Sequence, residues 1–211
     1  IRKLTVATLS FMVCWGFVLV LAQIKPFWID EWRIIYNLKY KSPSGLWGQL
    51  DFLQQFPRFY LELIKAFCSP FDYSYFTLRF PSFLAGTFAI MLSYRLMGKI
   101  YKPGQVNRFL FVLIIISSHA FTEYYVQIKQ YTMEILLSLV AIWQLLQLLH
   151  PDISRGRYLL LCLSFFIAPF FSYTYPIVVA PGCFIGCTQS IHRLKSADGP
   201  ANKAEWLARQ Y

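Results

Sequence analysis

LTVATLSFMVCWGFVLVLAQIKPFWIDEWR, residues 4–33, holds the two features from which the rest of the chain is read. Leu4 to Ile24 is an apolar run as long as a bilayer crossing needs, about 20 residues. It is longer than a signal-peptide core and no small-residue cleavage pattern follows it, so a retained span is predicted. FWIDEWR, residues 27–33, comes next and sets Asp30 and Glu31 among Phe27, Trp28, Ile29 and Trp32. A plain anchor has no use for two carboxylates wrapped in aromatics at the water interface.

The remaining sequence extends the membrane pattern. Hydrophobic residues make up 57% of the 211 positions, above the roughly 45–50% of soluble domains. Five further spans are predicted near 80–98, 107–121, 131–149, 157–171 and 174–191, with Pro169, Pro176 and Pro181 interrupting the last two. The expected fold is all-α and polytopic, with about six spans and a long first loop at 25–79. Residues 1–195 form the membrane domain and 196–211 a cytoplasmic loop or tail. Because the chain opens on Ile1 and stops at Tyr211 after a basic stretch, a longer parent protein is expected. Cys14, Cys68, Cys162, Cys183 and Cys187 show no CxxC pair and no histidines at zinc spacing; four lie in or beside apolar runs and read as small buried hydrophobes.

Charge supplies the orientation. With the amino terminus inside, the inner segments carry Arg2, Lys3, Arg95, Lys99, Lys102, Arg108, Arg155, Arg157, Arg193, Lys195, Lys203 and Arg209 against Asp152, Asp198 and Glu205. The outer segments are nearly balanced. The net charge of +10 is thus the positive-inside signature with attraction to anionic membrane lipid, and it requires no nucleic-acid partner. Loop 25–79 then faces outward. Within it, Pro57 to Phe67 reads as a helix lying on the membrane, with Phe59, Tyr60, Leu63 and Phe67 on one face and Arg58, Glu62 and Lys65 on the other. Glu31 to Leu38 reads similarly, with Ile34, Ile35 and Leu38 apolar, and SPSG at 42–45 as a turn.

Three polar groups invite a chemical reading. Asp30 and Glu31 are either a solvated helix start, which favours acids, or a base at a cavity mouth. In TEYYVQIKQYTMEI, residues 122–135, an ideal helix places Glu123, Gln127, Gln130, Tyr131 and Glu134 within about 100° of one another, with Lys129 turned away unless the helix begins later, near Gln130. A stripe of that kind belongs against a cavity rather than lipid. In LRFPS, residues 78–82, Pro81 suits the first turn of a helix. Arg79 would stand at the outer interface, as an anchor or a phosphate ligand. His119, near the outer end of the third span, is an acid, a base or a structural group; His150 and His192 carry no role. Gly-rich phosphate loops, GxSxG and HExxH are absent.

In order, Asp30–Glu31, QQFPRFYLELIKAF (54–67), LRFPSFLAG (78–86) and YYVQIKQYTMEILL (124–137) resemble the amino-terminal half of a GT-C superfamily glycosyltransferase. That group includes protein O-mannosyltransferases and the lipid A aminoarabinose transferase. The resemblance covers about residues 4–190. It implies an inverting transfer from a polyprenyl-phosphate sugar to a glycan, lipid or protein acceptor on the outer face of a bacterial inner membrane. It makes Asp30 the base and Glu31 its support or an acceptor ligand. Lys129 and Arg79 become ligands of the donor phosphate. Arg58, Tyr60, His119, Glu123, Gln127, Gln130, Tyr131 and Glu134 then line the cavity. A divalent metal stays open as a cofactor, and no metal ligands are assigned. Where many relatives carry paired prolines, Gln54, Gln55, Phe56 and Pro57 stand here. Two rival functions remain: a transporter or flippase of a lipid-linked or anionic solute, and a catalytically silent subunit of a membrane complex.

Overall fold

A computed structural model describes residues 12, 15–21, 23–101, 104–148 and 155–196. Most of the first predicted span, Cys14, His150 and the tail at 197–211 lie outside these residues. So do Arg2, Lys3, Lys102, Asp152, Asp198, Lys203, Glu205 and Arg209. Among the described residues every regular element is helical. Residues 15–21 belong to the first helix, α1. Then come α2 (Ile29–Tyr40), α3 (Pro43–Trp47), α4 (Arg58–Cys68), α5 (Tyr75–Ile100), α6 (Gln105–Ser117) and α7 (His119–Tyr125). The series ends with α8 (Tyr131–Leu148), α9 (Arg155–Ile167) and α10 (Tyr175–Ser196). Short 3₁₀ turns cover Asp51–Leu53, Ser69–Phe71 and Ala168–Phe170.

Among the described residues one helix, α5, is long and apolar enough to cross a membrane; Asn107–Ser117, Tyr131–Gln147 and Tyr175–Phe184 are shorter apolar stretches. Helix α5 starts earlier than the sequence suggests. The Ser74 hydroxyl accepts from the Thr77 N–H at 3.3 Å, an amino-terminal cap, so Pro81 falls inside the helix instead of in its first turn. Helices α5 and α8 pack together most extensively, α8 also meets α10, and α6 lies on α5. Two glycines permit close approach, since a Cβ at Gly86 of α5 would run into the Tyr125 ring at the end of α7 and one at Gly182 of α10 into Leu145 of α8. Between α8, α9 and α10 the nearly buried Gln144 takes a 2.6 Å hydrogen bond from the Tyr175 hydroxyl and donates to Ser164.

The outward faces of these helices are apolar. Leu84, Phe88 and Met91 on α5, Leu110 and Ile114 on α6, and Leu159, Leu163 and Phe166 on α9 are all exposed at helical spacing.

Helices α2, α3 and α4 close over the start of α5. Ile34, Ile35, Leu38, Leu46, Phe56, Tyr60, Leu61, Ile64, Cys68, Leu78 and Ile128 form one buried cluster there. Each large apolar side chain taken out of water in such a cluster contributes about 1.5–3 kcal/mol. Ile34, Ile35 and Leu38 are the buried side of α2, as expected. Helix α4 is rotated from its expected setting. Its inward face is Tyr60, Leu61, Ile64 and Cys68, while Phe59 and Leu63 are exposed. Of the face expected to meet the membrane, Tyr60 is taken into the packing while Phe59 and Leu63 stay outside it. The SPSG turn continues into α3, capped by Ser42, whose hydroxyl accepts from the Gly45 N–H at 3.1 Å.

Candidate functional site around Asp30 and Lys129

Read as one helix, 122–135 turns Lys129 away from the other polar groups, and a helix beginning later, near Gln130, removes that conflict. The chain breaks at 126–130, between the end of α7 at Tyr125 and the start of α8 at Tyr131. A break costs unpaired backbone groups unless side chains take them up. Here they do. The Ile128 N–H donates to Glu31 Oε1 at 2.9 Å. Ser82 Oγ donates to the Lys129 carbonyl at 3.2 Å. The Tyr60 hydroxyl lies 2.8 Å from Ser82 Oγ and 3.4 Å from the carbonyls of both Ile128 and Lys129. Burial pushes the Tyr60 phenol far above its usual range, with the Ser82 hydrogen bond pulling the other way, so it remains a neutral hydroxyl. Val126 and Ile128 turn inward, 2% and 0% exposed.

The break reorients Lys129. Its ammonium donates to Asp30 Oδ2 at 3.2 Å across 99 positions of sequence. Arg33, one helical turn beyond Asp30, reaches the other oxygen at 3.4 Å. Asp30 is 46% exposed and Lys129 18%, so the pair lies at the protein surface. Its contribution to stability is small, about 0–1 kcal/mol, as for exposed ion pairs generally.

Glu31 has the opposite setting. It is 0% exposed. One oxygen takes the Ile128 N–H; the other takes the Trp28 N–H at 3.0 Å, closing the amino-terminal turn of α2. The Arg79 guanidinium stands 3.9 Å away. Arg79 is also 0% exposed, so the expected interfacial position is corrected. It donates to the carbonyls of Lys25 at 2.7 Å and Pro26 at 3.4 Å, and its guanidinium carbon lies 4.4 Å from the centre of the Phe27 ring. Phe27 stacks on Tyr75 at 4.3 Å. The guanidinium therefore lies inside the protein, with no surface open to solvent.

The remaining polar positions do not form one stripe, because the break divides them. On one side Lys25 pairs with Glu123, and Gln127 Nε2 donates to Glu123 Oε1 at 2.8 Å. The Lys25 hydrogen bond is the main cause that holds the Glu123 carboxyl below its ordinary range, against the opposing effect of burial, and His119 adds a little. His119 itself is exposed at the first residue of α7. On the other side Glu134 lies near the Tyr173 backbone and the Gln130 side chain. Burial pushes the Tyr173 phenol up, and nearby Arg58 lowers it in part. Arg58 donates to the Leu46 carbonyl at 3.1 Å. Tyr131 rests on Tyr124, ring centres 4.6 Å apart. Tyr60, expected at a cavity wall, is wholly buried behind the turn.

Sequence reasoning passed over Ser82 and Arg33. Ser82 had a signal in hindsight, a hydroxyl on a helix that must pair with something inside. Arg33 had the i, i+3 spacing to Asp30. Among the described residues no three His, Cys, Asp or Glu side chains converge on a point. Comparison with protein-family models, with curated proteins and with solved structures returns no match to this chain.

Proposed function

We propose that this chain is the membrane portion of a GT-C-type glycosyltransferase, crossing the bilayer about six times and working on its outer face. The observation that carries the reading is the Asp30–Lys129 pair. Two residues 99 positions apart meet at 3.2 Å at the protein surface, where the ion pair itself adds little to stability. The exposed apolar stripes of α5, α6 and α9 support the membrane setting.

In the proposed reaction the donor is a polyprenyl-phosphate sugar and the acceptor a hydroxyl of a glycan, lipid or protein. Lys129 leaves Asp30 for the donor phosphate, neutralising charge that builds as the bond breaks. Asp30 takes the acceptor proton. The acceptor oxygen attacks the anomeric carbon and the carbon–oxygen bond to phosphate breaks. Its electron pair leaves with the prenyl phosphate, and the anomeric configuration inverts. Arg79 is assigned no part in donor binding, being enclosed by Glu31, Phe27 and backbone carbonyls.

One observation favours the silent-subunit reading: Asp30 already lies against two cations, Lys129 and Arg33. A deletion strain rescued with wild type, Asp30→Asn or Lys129→Ala separates the two, with expression checked by blot. The glycosyltransferase reading expects wild type to restore a missing surface sugar. Asp30→Asn should lower transfer about 10²–10⁴-fold, the usual share of a general base, while the prenyl-linked donor accumulates. Full rescue by Asp30→Asn would remove the base and leave the subunit reading.

A further inference from the structure

We infer that Glu31 is a positioning residue: its buried carboxylate ties the 126–130 turn to the first turn of α2 and so sets Lys129 against Asp30. The inference rests on the reading of Asp30 and Lys129 as the working pair and concerns how that pair is held.

The geometry is a register argument. Asp30 and Glu31 are neighbours on α2, and Ile128 and Lys129 are neighbours on the turn. Joining Glu31 to the Ile128 N–H at 2.9 Å brings Asp30 opposite Lys129. The same carboxylate closes its own helix by accepting from Trp28. Behind it, Arg79 draws in the carbonyls of Lys25 and Pro26, just ahead of α2. One carboxylate therefore fixes three segments: the start of α2, the upper part of α5 and the turn before α8. Ser82 and Tyr60 steady the turn's carbonyls from the other side. At 0% exposure Glu31 meets no ligand, so it acts through the turn and not on a substrate.

Cysteine labelling of the purified full chain in detergent tests this without any sugar transfer. Lys129→Cys removes the ammonium and places a thiol on the turn, and Cys68, buried at the end of α4, reports general opening. A hydrophilic maleimide is added and each site is read by peptide mass spectrometry, with and without Glu31→Gln. The amide keeps the size of Glu31 but offers one acceptor oxygen where two N–H groups need partners. Labelling at position 129 should rise about tenfold or more as the turn loses a hydrogen bond to a charged acceptor, while Cys68 stays protected. Ser82→Ala, which leaves Glu31 untouched, should give a smaller rise at the same site. Labelling at 129 within twofold of the parent would overturn the inference. A rise at both cysteines would make Glu31 a general stabiliser and overturn it equally. If Asp30→Asn leaves transfer intact, the glycosyltransferase reading falls while the labelling result stands.

Discussion

Asp30 and Glu31 are adjacent, carry the same charge and share the first turn of one helix, yet they live in different solvents. Asp30 is nearly half exposed, between the movable ends of Lys129 and Arg33. Glu31 is sealed, bonded to two backbone N–H groups and faced by a sealed guanidinium. Two carboxylates next to each other can thus divide the work. The exposed one stays open to solvent, and the enclosed one is committed to holding chain segments together. The difference arises from one helical turn: a step of about 100° points one side chain along the surface and the other into the core.

The comparison is broken most directly at its buried member. Glu31→Ala leaves Arg79 charged, enclosed and without its carboxylate, and should destabilise the fold by about 3–5 kcal/mol. Asp30→Ala should change stability by less than about 1 kcal/mol. Thermal unfolding of both variants in the same detergent would show it, and equal losses would erase the distinction. A smaller effect is expected behind the turn. Tyr60→Phe removes the hydroxyl that meets Ser82 and two carbonyls, and should cost about 0.5–1.5 kcal/mol. Hydrogen exchange would report it as faster exchange at 126–130 than at α8.

The smallest effect concerns pH. Glu123 is held by Lys25 below its ordinary carboxyl range. A group with a depressed folded value contributes stability above its unfolded value and loses it as pH falls through the folded one. The Lys25–Glu123 pair should therefore add up to about 1 kcal/mol at neutral pH and fade below its ordinary value of 4.5. Glu123→Gln should flatten that part of the acid limb when the melting temperature is followed from pH 6 to pH 3. Asp30→Asn supplies the reference for an exposed acid.

Much of the helical layout was legible from apolar runs, and α2 and α4 were found within a residue or two. What failed was wherever a distant side chain overruled local periodicity. Residues 126–130 contain no glycine or proline, and the one hint of a later helix start, near Gln130, was that an unbroken helix turns Lys129 away. The helix stops because Glu31, Ser82 and Tyr60, all far away in sequence, take the backbone groups a helix would use. An unbroken wheel therefore pointed Lys129 away from the site it occupies. Arg79 was misplaced for the same reason: its position before Pro81 suggests an interface, while its partners come from residues 25–31. The α4 face was off by a small rotation because Phe59 and Leu63 are as apolar as Leu61 and Ile64. Periodicity alone does not say which apolar side meets protein.

The bond from Ile128 to Glu31 spans 97 positions, and that distance is also a delay. A ribosome adding about 5–20 residues per second needs about 5–20 s to reach Ile128 after it has made Glu31. Throughout that interval the acid pair exists without the turn that anchors it. The nascent chain is then a half-built lock, and it closes only when the turn before α8 arrives.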